Sequence, residues 1–435
     1  MNSRVTLLSP RHIRPQPDPL GLYFRVGRTD HLELLDLLDS GESRFFGIVC
    51  DPTCAGFHED LVARALEKRM DVILDPRTQP SATIGGFTPS LGALPWGRER
   101  MHVDDDFAGG NGTRLVQDIA RFAIQRRYTQ ILSPTHLIRS AADPWWDIDR
   151  DITAKLRNEL DKLHANDVEI LYSLAVTYSL LRNPEQCRAL VRDLKSLPIS
   201  AIWLSVDGLG SDSTAAATRT YIESLAAFHS AGLPIVADHV GGIVGLSLIA
   251  FGAAGAIAHG VASGERFSTD HWRRARTQKS FGNSRRVYVP NLDLLLKPSD
   301  AQELFEFGSR VRAAYGCTDT RCCQRGVTDM LQRPAQHFLR QRIIEISQLG
   351  NGPDSLRAER FLERKLRPLT DHALNAANLK WKNAELEKRI LEKRKRLDAL
   401  RVTLSNLSES TQQRSMSALP SRRVARQPMQ RPTSH

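Results

Sequence analysis

The passage GLPIVADHVGGIVGLSLIAFGAAGAIAHGVASGERF, residues 232–267, decides the fold class. An apolar strand ends at Asp238-His239, a glycine pair starts a short helix, and a second apolar strand begins after Gly252. A strand, a helix and another strand in this order predict a parallel β/α unit. In late units of barrels, a pair such as Gly241-Gly242 lets the backbone approach a phosphate or a ring at a helix N-terminus. Tight packing of the helix on the strand would require glycine equally.

The same alternation of strands and helices extends from Arg44 to Pro290. Strands are predicted at residues 46–50, 72–75, 129–133, 169–174, 201–207, 234–238, 256–259 and 287–289. Helices are predicted between them at residues 58–68, 113–125, 149–165, 184–195, 213–230 and 243–251. This number of elements matches a (β/α)8 TIM-type barrel, an α/β fold. The alternative, an open doubly wound sheet, usually has a Gly-rich motif after its first strand, and the first predicted strand here is followed by Asp51-Pro52-Thr53-Cys54.

The pattern divides the chain into five regions. They are an N-terminal extension (1–43, with a possible strand at 22–26), the barrel (44–298), a zinc-binding helical lobe (299–370), a coiled-coil helix (371–407) and a disordered basic tail (408–435). Leucines and Ile390 form a heptad stripe within 379–407, interrupted by Asn383 and Lys393. This stripe predicts a homodimer or a protein partner, or else a single amphipathic helix folded back on the body.

The net charge of +11 is concentrated near the C-terminus, where residues 371–435 carry a net charge of +8. A basic, Ser/Arg/Pro-rich tail suits weak contact with nucleic acid. A second basic stretch, residues 271–286, would hold phosphates or form a solvated loop. The sequence has no apolar run of membrane-spanning or signal-peptide length, and its six cysteines suit a reducing compartment. We therefore expect a cytoplasmic protein without a membrane partner.

A cluster of thiols follows the predicted barrel. Cys317, Cys322, Cys323 and His337 lie within about twenty residues and can complete one tetrahedral zinc shell. In a cytosolic chain these four residues could also be ordinary buried side chains.

In this position after a barrel, the cysteine-rich segment, the short helix and the histidine resemble the zinc subdomain of the tRNA-guanine transglycosylases. Asp75 and the later Gly85-Gly86-Phe87 resemble the Asp-Ser-Gly-Gly-Phe-Gln element of that family, although an inserted stretch separates them here. The resemblance implies a structural Zn²⁺ and exchange of guanine in tRNA or DNA for a 7-deazaguanine base. The family's nucleophilic aspartate ends a late strand, but the comparable strand here ends Ala258-His259-Gly260.

Polar residues that follow the predicted strands should line the mouth of the barrel. Exchange of a glycosidic bond needs one carboxylate as nucleophile and another group as acid and base. The candidate catalytic residues are Asp75, Asp207 and Asp238. The candidate substrate-binding residues are Arg77, His136, Gly241, Gly242, His259 and Glu265. Asp51 and Asp75, each before a proline, could instead be caps of turns or helices.

Two other functions agree with the same sequence. One is a barrel protein without turnover that uses its helix and basic tail to join a nucleic-acid complex. The other is a flavin- or phosphate-binding oxidoreductase, based on the Gly241-Gly242 passage.

Overall fold

Eight parallel strands close into a barrel in the computed structural model, which describes residues 20–42, 44–274 and 285–413. The sheet contains β1 (Gly21–Val26), β2 (Gly47–Cys50), β3 (Asp71–Leu74), β4 (Gln130–Leu132), β5 (Leu137–Ile138), β6 (Glu169–Thr177), β7 (Ala201–Asp207), β8 (Ile235–Asp238) and β9 (Ala256–Gly260). The short β5 extends the sheet beside β6, while β4 pairs directly with β6 and β9 pairs with β1. The predicted (β/α)8 barrel is confirmed.

The barrel begins and ends earlier than the sequence predicted. Its first strand is β1, which lies inside the predicted extension and pairs with both β2 and β9. The predicted strand at 287–289 is β10 (Val287–Val289), which instead pairs antiparallel with β11 (Leu294–Leu296). Gly21 permits this closure, because a side chain there would collide with Ala256 and Phe46. The predicted barrel limits of 44 and 298 are therefore wrong, since the strands run from Gly21 to Gly260.

Alternating residues of the strands fill the inside of the barrel. The inner cluster takes a side chain from every barrel strand: Tyr23, Val49, Ile73, Leu132, Leu171, Ala201, Trp203, Val236, Ala256 and Ala258. Neighbours such as Leu22 and Phe24 belong to the larger core that lies between the strands and the helices. Because side chains alternate with period two, residues two positions beyond the inner cluster reach the carboxyl end of the barrel.

Helices surround the strands. Those of the barrel are α1 (Asp30–Asp39), α2 (Glu59–Glu67), α3 (Thr78–Ser81), α4 (Pro89–Gly92), α5 (Gly109–Gln125), α6 (Pro144–Lys162), α7 (Tyr178–Leu181), α8 (Pro184–Leu194), α9 (Ala215–Phe228) and α10 (Gly242–Ala250). Those that follow are α11 (Pro298–Glu306), α12 (Ser309–Tyr315), α13 (Val327–Gln332), α14 (Pro334–Gly350), α15 (Arg357–Phe361), α16 (Arg367–Ala377) and α17 (Ala384–Gln413). Helix α14 contacts α1, α10 and β1, so it takes the outer position that a helix after β9 would occupy.

The C-terminal helix α17 packs on the body of its own chain. Its apolar stripe, which includes Leu386, Ile390 and Leu397, is buried, and the helix contacts α9 and α16. The amide oxygen of Asn383 accepts hydrogen bonds from the backbone N–H groups of Glu385 and Leu386, which caps the helix and starts it later than predicted. The predicted C-terminal helix is present, and its stripe is covered by the body of the same chain, as expected for the alternative of a single amphipathic helix folded back on the body.

Two expectations concern the ends of the chain. Residues 408–413, predicted to belong to the tail, continue α17, and the rest of the predicted tail lies outside the described residues. Among the helices of the described ranges, none is long and apolar enough to cross a membrane.

Candidate functional sites

Charged side chains meet above the inner cluster at the carboxyl end of the barrel. Arg25 and Asp75 stand two residues beyond the inward-facing Tyr23 and Ile73, and Asp238 stands two beyond Val236. The period-two alternation therefore turns all three side chains towards the mouth. The catalytic carboxylates of TIM barrels lie in the same position.

Arg25 joins the two carboxylates. Its Nε and Nη2 donate to Asp238 Oδ1 and Oδ2 at 2.7 and 2.5 Å, and its Nη1 donates to Asp75 Oδ2 at 2.7 Å. Asp75 Oδ1 accepts a further hydrogen bond from the Arg77 backbone N–H at 2.9 Å. The Ser205 hydroxyl donates to Asp238 at 3.2 Å. The side chain of Asp238 is 1% exposed and that of Asp75 is 18% exposed, so Asp75 is the more accessible of the two.

Both carboxylates are held in the ionised form. Burial is the largest single influence and would raise the pKa of each, but the charge of Arg25, a second neighbouring charge and the hydrogen bonds together lower the pKa of both groups. The neighbouring His239 has a pKa lowered to about 4, because burial opposes its charged form. At neutral pH the mouth therefore contains two carboxylates, one guanidinium bridging them and a neutral imidazole.

Two loops lie over this mouth. Thr269 donates from its backbone N–H and its hydroxyl to Asp207 at 2.7 and 2.8 Å, so Asp207 anchors the loop that follows β9. Trp272 of that loop accepts a hydrogen bond from the Gly85 N–H of the long segment after β3. Gly85 has no room for a side chain, because the carbonyl groups of His271 and Arg274 lie against it. Asp207 is thus a loop anchor rather than a free catalytic carboxylate.

His136, predicted from the end of its strand, forms a dyad with Asp149 of α6. His136 Nδ1 lies 2.6 Å from Asp149 Oδ1, and the His136 backbone N–H donates to Asp149 Oδ2 at 2.8 Å. The imidazole stacks on Trp145 at 3.6 Å between ring centroids. Its Nε2 is buried and has no hydrogen-bond partner among the described residues. The residue lines a cavity of about 270 Å³ with Gln79 and Trp272 among its other walls. A histidine oriented in this way can accept or give a proton at Nε2.

His259 and Glu265, predicted to bind substrate, do not reach the mouth. His259 follows the inward-facing Ala258, so it faces outward and packs against Phe24 and Phe338. Burial lowers its pKa to about 3. Glu265 is buried beside Arg342, whose Nη2 donates to it at 2.7 Å. Both predictions are wrong, because the pleat of β9 and the packing of α14 turn these groups away from the mouth.

The Gly241-Gly242 turn is not an open anion site. A side chain on Gly241 would collide with the carboxylate of Glu265, and one on Gly242 would collide with that of Asp293. Asp293 also accepts a hydrogen bond from the Ile243 N–H at the start of α10. The protein's own carboxylates thus fill the positive helix terminus where a phosphate would bind. The predicted phosphate- or flavin-binding role of the pair is wrong.

The four predicted metal ligands come together in the lobe after the barrel. The donor atoms of Cys317, Cys322, Cys323 and His337 all lie within 4.8 Å of one another. His337 Nε2 lies 3.0 Å from the Tyr288 carbonyl oxygen, which leaves Nδ1 facing Cys322 and Cys323 at 3.4 and 3.3 Å. An outer hydrogen bond that fixes the histidine tautomer is typical of metal sites. The cluster could hold a metal ion, and three thiolates with one imidazole are donors that suit zinc.

Two residues at these sites, Arg25 and Asp149, were not predicted from the sequence. Arg25 was not predicted because the strand at 22–26 was assigned to an N-terminal extension rather than to the barrel. The sequence predicts Asp149 only as the first residue of a helix, and no local pattern links it to His136, thirteen residues earlier.

Comparison with known proteins identifies no family for this chain. No protein-family model and no curated protein matches the chain. Similar solved structures include the Y628A carboxyl transferase domain of Rhizobium etli pyruvate carboxylase with pyruvate (12% identity, 90% of this chain and 62% of that one covered, TM-score 0.36). Another is a GH10 xylanase from Bispora sp. MEY-1 (11% identity, 55% of this chain and 82% of that one covered, TM-score 0.37). A third is a type I 3-dehydroquinate dehydratase from Clostridium difficile (10% identity, 59% of this chain and 90% of that one covered, TM-score 0.36). At these values the likenesses identify neither a substrate nor a reaction.

Proposed function

We propose that the chain is a transglycosylase-type enzyme that exchanges guanine in tRNA or DNA for a 7-deazaguanine base at the barrel mouth. The observation that carries this proposal is the Arg25-linked pair of carboxylates, of which Asp75 is the more accessible and has a lowered pKa. Asp75 also belongs to the segment that resembles the family element. An ionised carboxylate at the mouth can attack an anomeric carbon.

The proposed exchange has two displacements. An Asp75 oxygen bonds to the anomeric carbon as the bond to guanine breaks, and the leaving base takes a proton. The incoming base then loses its proton, attacks the same carbon and releases Asp75. His136, oriented by Asp149, is the candidate carrier of the proton. Asp238 is a positioning residue in this scheme, because both of its oxygens hold Arg25.

We further propose that the metal of the cysteine cluster is Zn²⁺ in a structural role. The cluster is formed by residues after the barrel, and its contacts are with Tyr288, Met330 and Gln341 rather than with the mouth. Four protein donors close the coordination shell, which is typical of structural zinc sites.

The test is incorporation of labelled guanine, or of a labelled 7-deazaguanine, into tRNA and into DNA by the purified full chain. We expect Asp75→Asn to reduce exchange at least 100-fold, because an amide cannot attack the anomeric carbon, while polymer binding changes less than twofold. The matched control is Asp167→Asn, an exposed aspartate in the loop before β6, which should retain full activity. Trapping of a covalent enzyme–nucleic acid adduct without incoming base would identify the nucleophile. Full activity of Asp75→Asn would refute its assignment.

A second function, nucleic-acid binding without turnover, is favoured by a separate observation. The end of β9 presents no inward-facing carboxylate, because Ala258 faces inward and His259 outward. Absence of exchange by the wild-type chain on both polymers, together with salt-sensitive binding to one of them, would support this function instead.

A further inference from the structure

A second cavity lies in the C-terminal lobe, apart from the barrel mouth. It has a volume of about 370 Å³, and its walls include Leu246 of α10, Leu349 of α14 and Phe361 of α15. These apolar side chains form one part of the lining, and basic side chains form another. The volume falls within the range of roughly 300–1,000 Å³ that is usual for small-molecule sites.

Four cations line this cavity. Arg357, Arg360 and Arg364 are spaced by three and four residues, which places them on one face of the helical segment, and Lys365 follows. Like charges at this spacing repel each other and destabilise a helix. The segment therefore concentrates positive charge at a site that also offers an apolar wall.

Protein carboxylates neutralise only part of this charge. Lys365 donates to Glu345 at 2.7 Å, and Arg357 is paired with Asp354. Arg360 donates to the Asn351 carbonyl oxygen at 2.9 Å, which leaves its charge uncompensated. Within the described ranges, neither Arg360 nor Arg364 forms an ion pair.

A π-helical turn, Leu362–Leu366, carries the basic residues at the end of the segment. It follows α15 directly, and both Arg364 and its neighbour Lys365 line the cavity. Such turns are frequently found at functional sites. The irregular backbone and the uncompensated positive charge thus occur on the same wall of the cavity.

We propose that this cavity binds a small phosphate monoester with an apolar or aromatic body, of the nucleoside monophosphate class. Guanidinium groups match phosphate oxygens in geometry and charge. Two of them here, those of Arg360 and Arg364, have no carboxylate partner among the residues that the structure describes. The cavity is larger than an inorganic phosphate needs, and Phe361, Leu349 and Leu246 offer a surface for the attached body. The site does not depend on the function proposed for the barrel mouth.

The test is isothermal titration calorimetry of the full chain with GMP, guanosine and inorganic phosphate as probes. GMP should bind at least tenfold more tightly than either of the others, because it alone supplies both the phosphate and the ring. Its affinity should fall as salt increases. Equal binding of GMP and guanosine, or no binding of GMP, would overturn the proposal.

Variants separate this cavity from other sites. The double variant Arg360→Ala/Arg364→Ala should weaken GMP binding at least tenfold. Arg121→Ala/Arg188→Ala, which removes two exposed arginines from α5 and α8, is the matched control and should bind GMP as the wild type does. Wild-type affinity in the lobe variant would overturn the site. Tighter binding of a 5′-phosphorylated oligonucleotide than of GMP would overturn the assignment to a small molecule.

Discussion

At the scale of residues, the cysteine cluster combines neighbours in the chain with partners that only folding supplies. Cys322 and Cys323 are adjacent, yet both thiols lie near His337 Nδ1. The histidine is oriented from its other nitrogen by the Tyr288 carbonyl oxygen of β10. The hairpin that the sequence assigned to the barrel thus has a different role, which is to position a candidate metal ligand.

Replacing Cys322 by Ser should lower the zinc affinity of the purified chain by at least roughly tenfold and lower its melting temperature. The reason is that binding energy at a closed structural site is also folding energy. Metal analysis and calorimetry would measure both effects. Cys54→Ser, which changes a half-buried thiol outside the cluster, is the control and should keep wild-type zinc content. A wild-type chain that is fully stable without metal would contradict the structural role.

At the scale of elements, α17 shows why a heptad stripe does not identify its partner. The stripe buries Leu397 and Leu404 completely against the same chain. Lys393, a polar interruption of the stripe, donates to Asp293 at 2.6 Å in the interior. A polar residue that could have set the register between two chains instead pairs with a carboxylate of its own chain.

Leu397→Ala should lower the free energy of unfolding by about 2–5 kcal/mol, because it leaves a cavity under the helix. Val402→Ala, on the exposed side of the same helix, should change it by less than about 0.5 kcal/mol. Denaturant unfolding followed by circular dichroism would measure both values. The melting temperature should also be independent of protein concentration. A melting temperature that rises with concentration would instead support a coiled-coil dimer.

At the scale of the whole molecule, a buried ionic network joins the barrel to β10, α14 and α17. Arg342 of α14 donates to Glu265, which follows β9, and to Glu345, while Tyr288 of β10 donates to Glu345. Asp293 links the start of α10 to Lys393 of α17. Removing one member leaves its partners charged and buried, which is strongly destabilising.

Asp293 should make stability depend on pH at the acid end. Burial opposes its charge, but Lys393 and Arg342 outweigh burial and lower its pKa to about 2. Its ordinary value is near 4, so the carboxylate contributes roughly 2 kcal/mol of stability above pH 4, and this is lost as the pH falls towards 2. Asp293→Asn should lower the free energy of unfolding by about 3–5 kcal/mol at pH 7, and the difference from wild type should shrink below pH 4. A difference that stays constant from pH 7 to pH 2 would contradict this assignment.

Much of the architecture was determined by local patterns in the sequence. Alternating apolar strands and amphipathic helices predicted the barrel, and the spacing of the thiols and His337 predicted the cluster. Both signals lie within short stretches of the sequence, where local patterns are informative. Asp75, Asp238 and His136 were predicted from their positions after strands, and all three lie at the carboxyl end of the barrel.

Tertiary structure alone decided which strand closes the barrel and which charged groups meet. The sequence offers more short apolar runs than the barrel has strands, and the pairing of β1 with β9 joins residues more than two hundred positions apart. Arg25 reaches Asp238 only through that closure. The pleat of β9 sends His259 outward, and Asp293 fills the turn that the sequence assigned to a phosphate. Periodicity along one segment specifies the type of element and its buried face, whereas the partners of a side chain depend on contacts between segments that are distant in the chain.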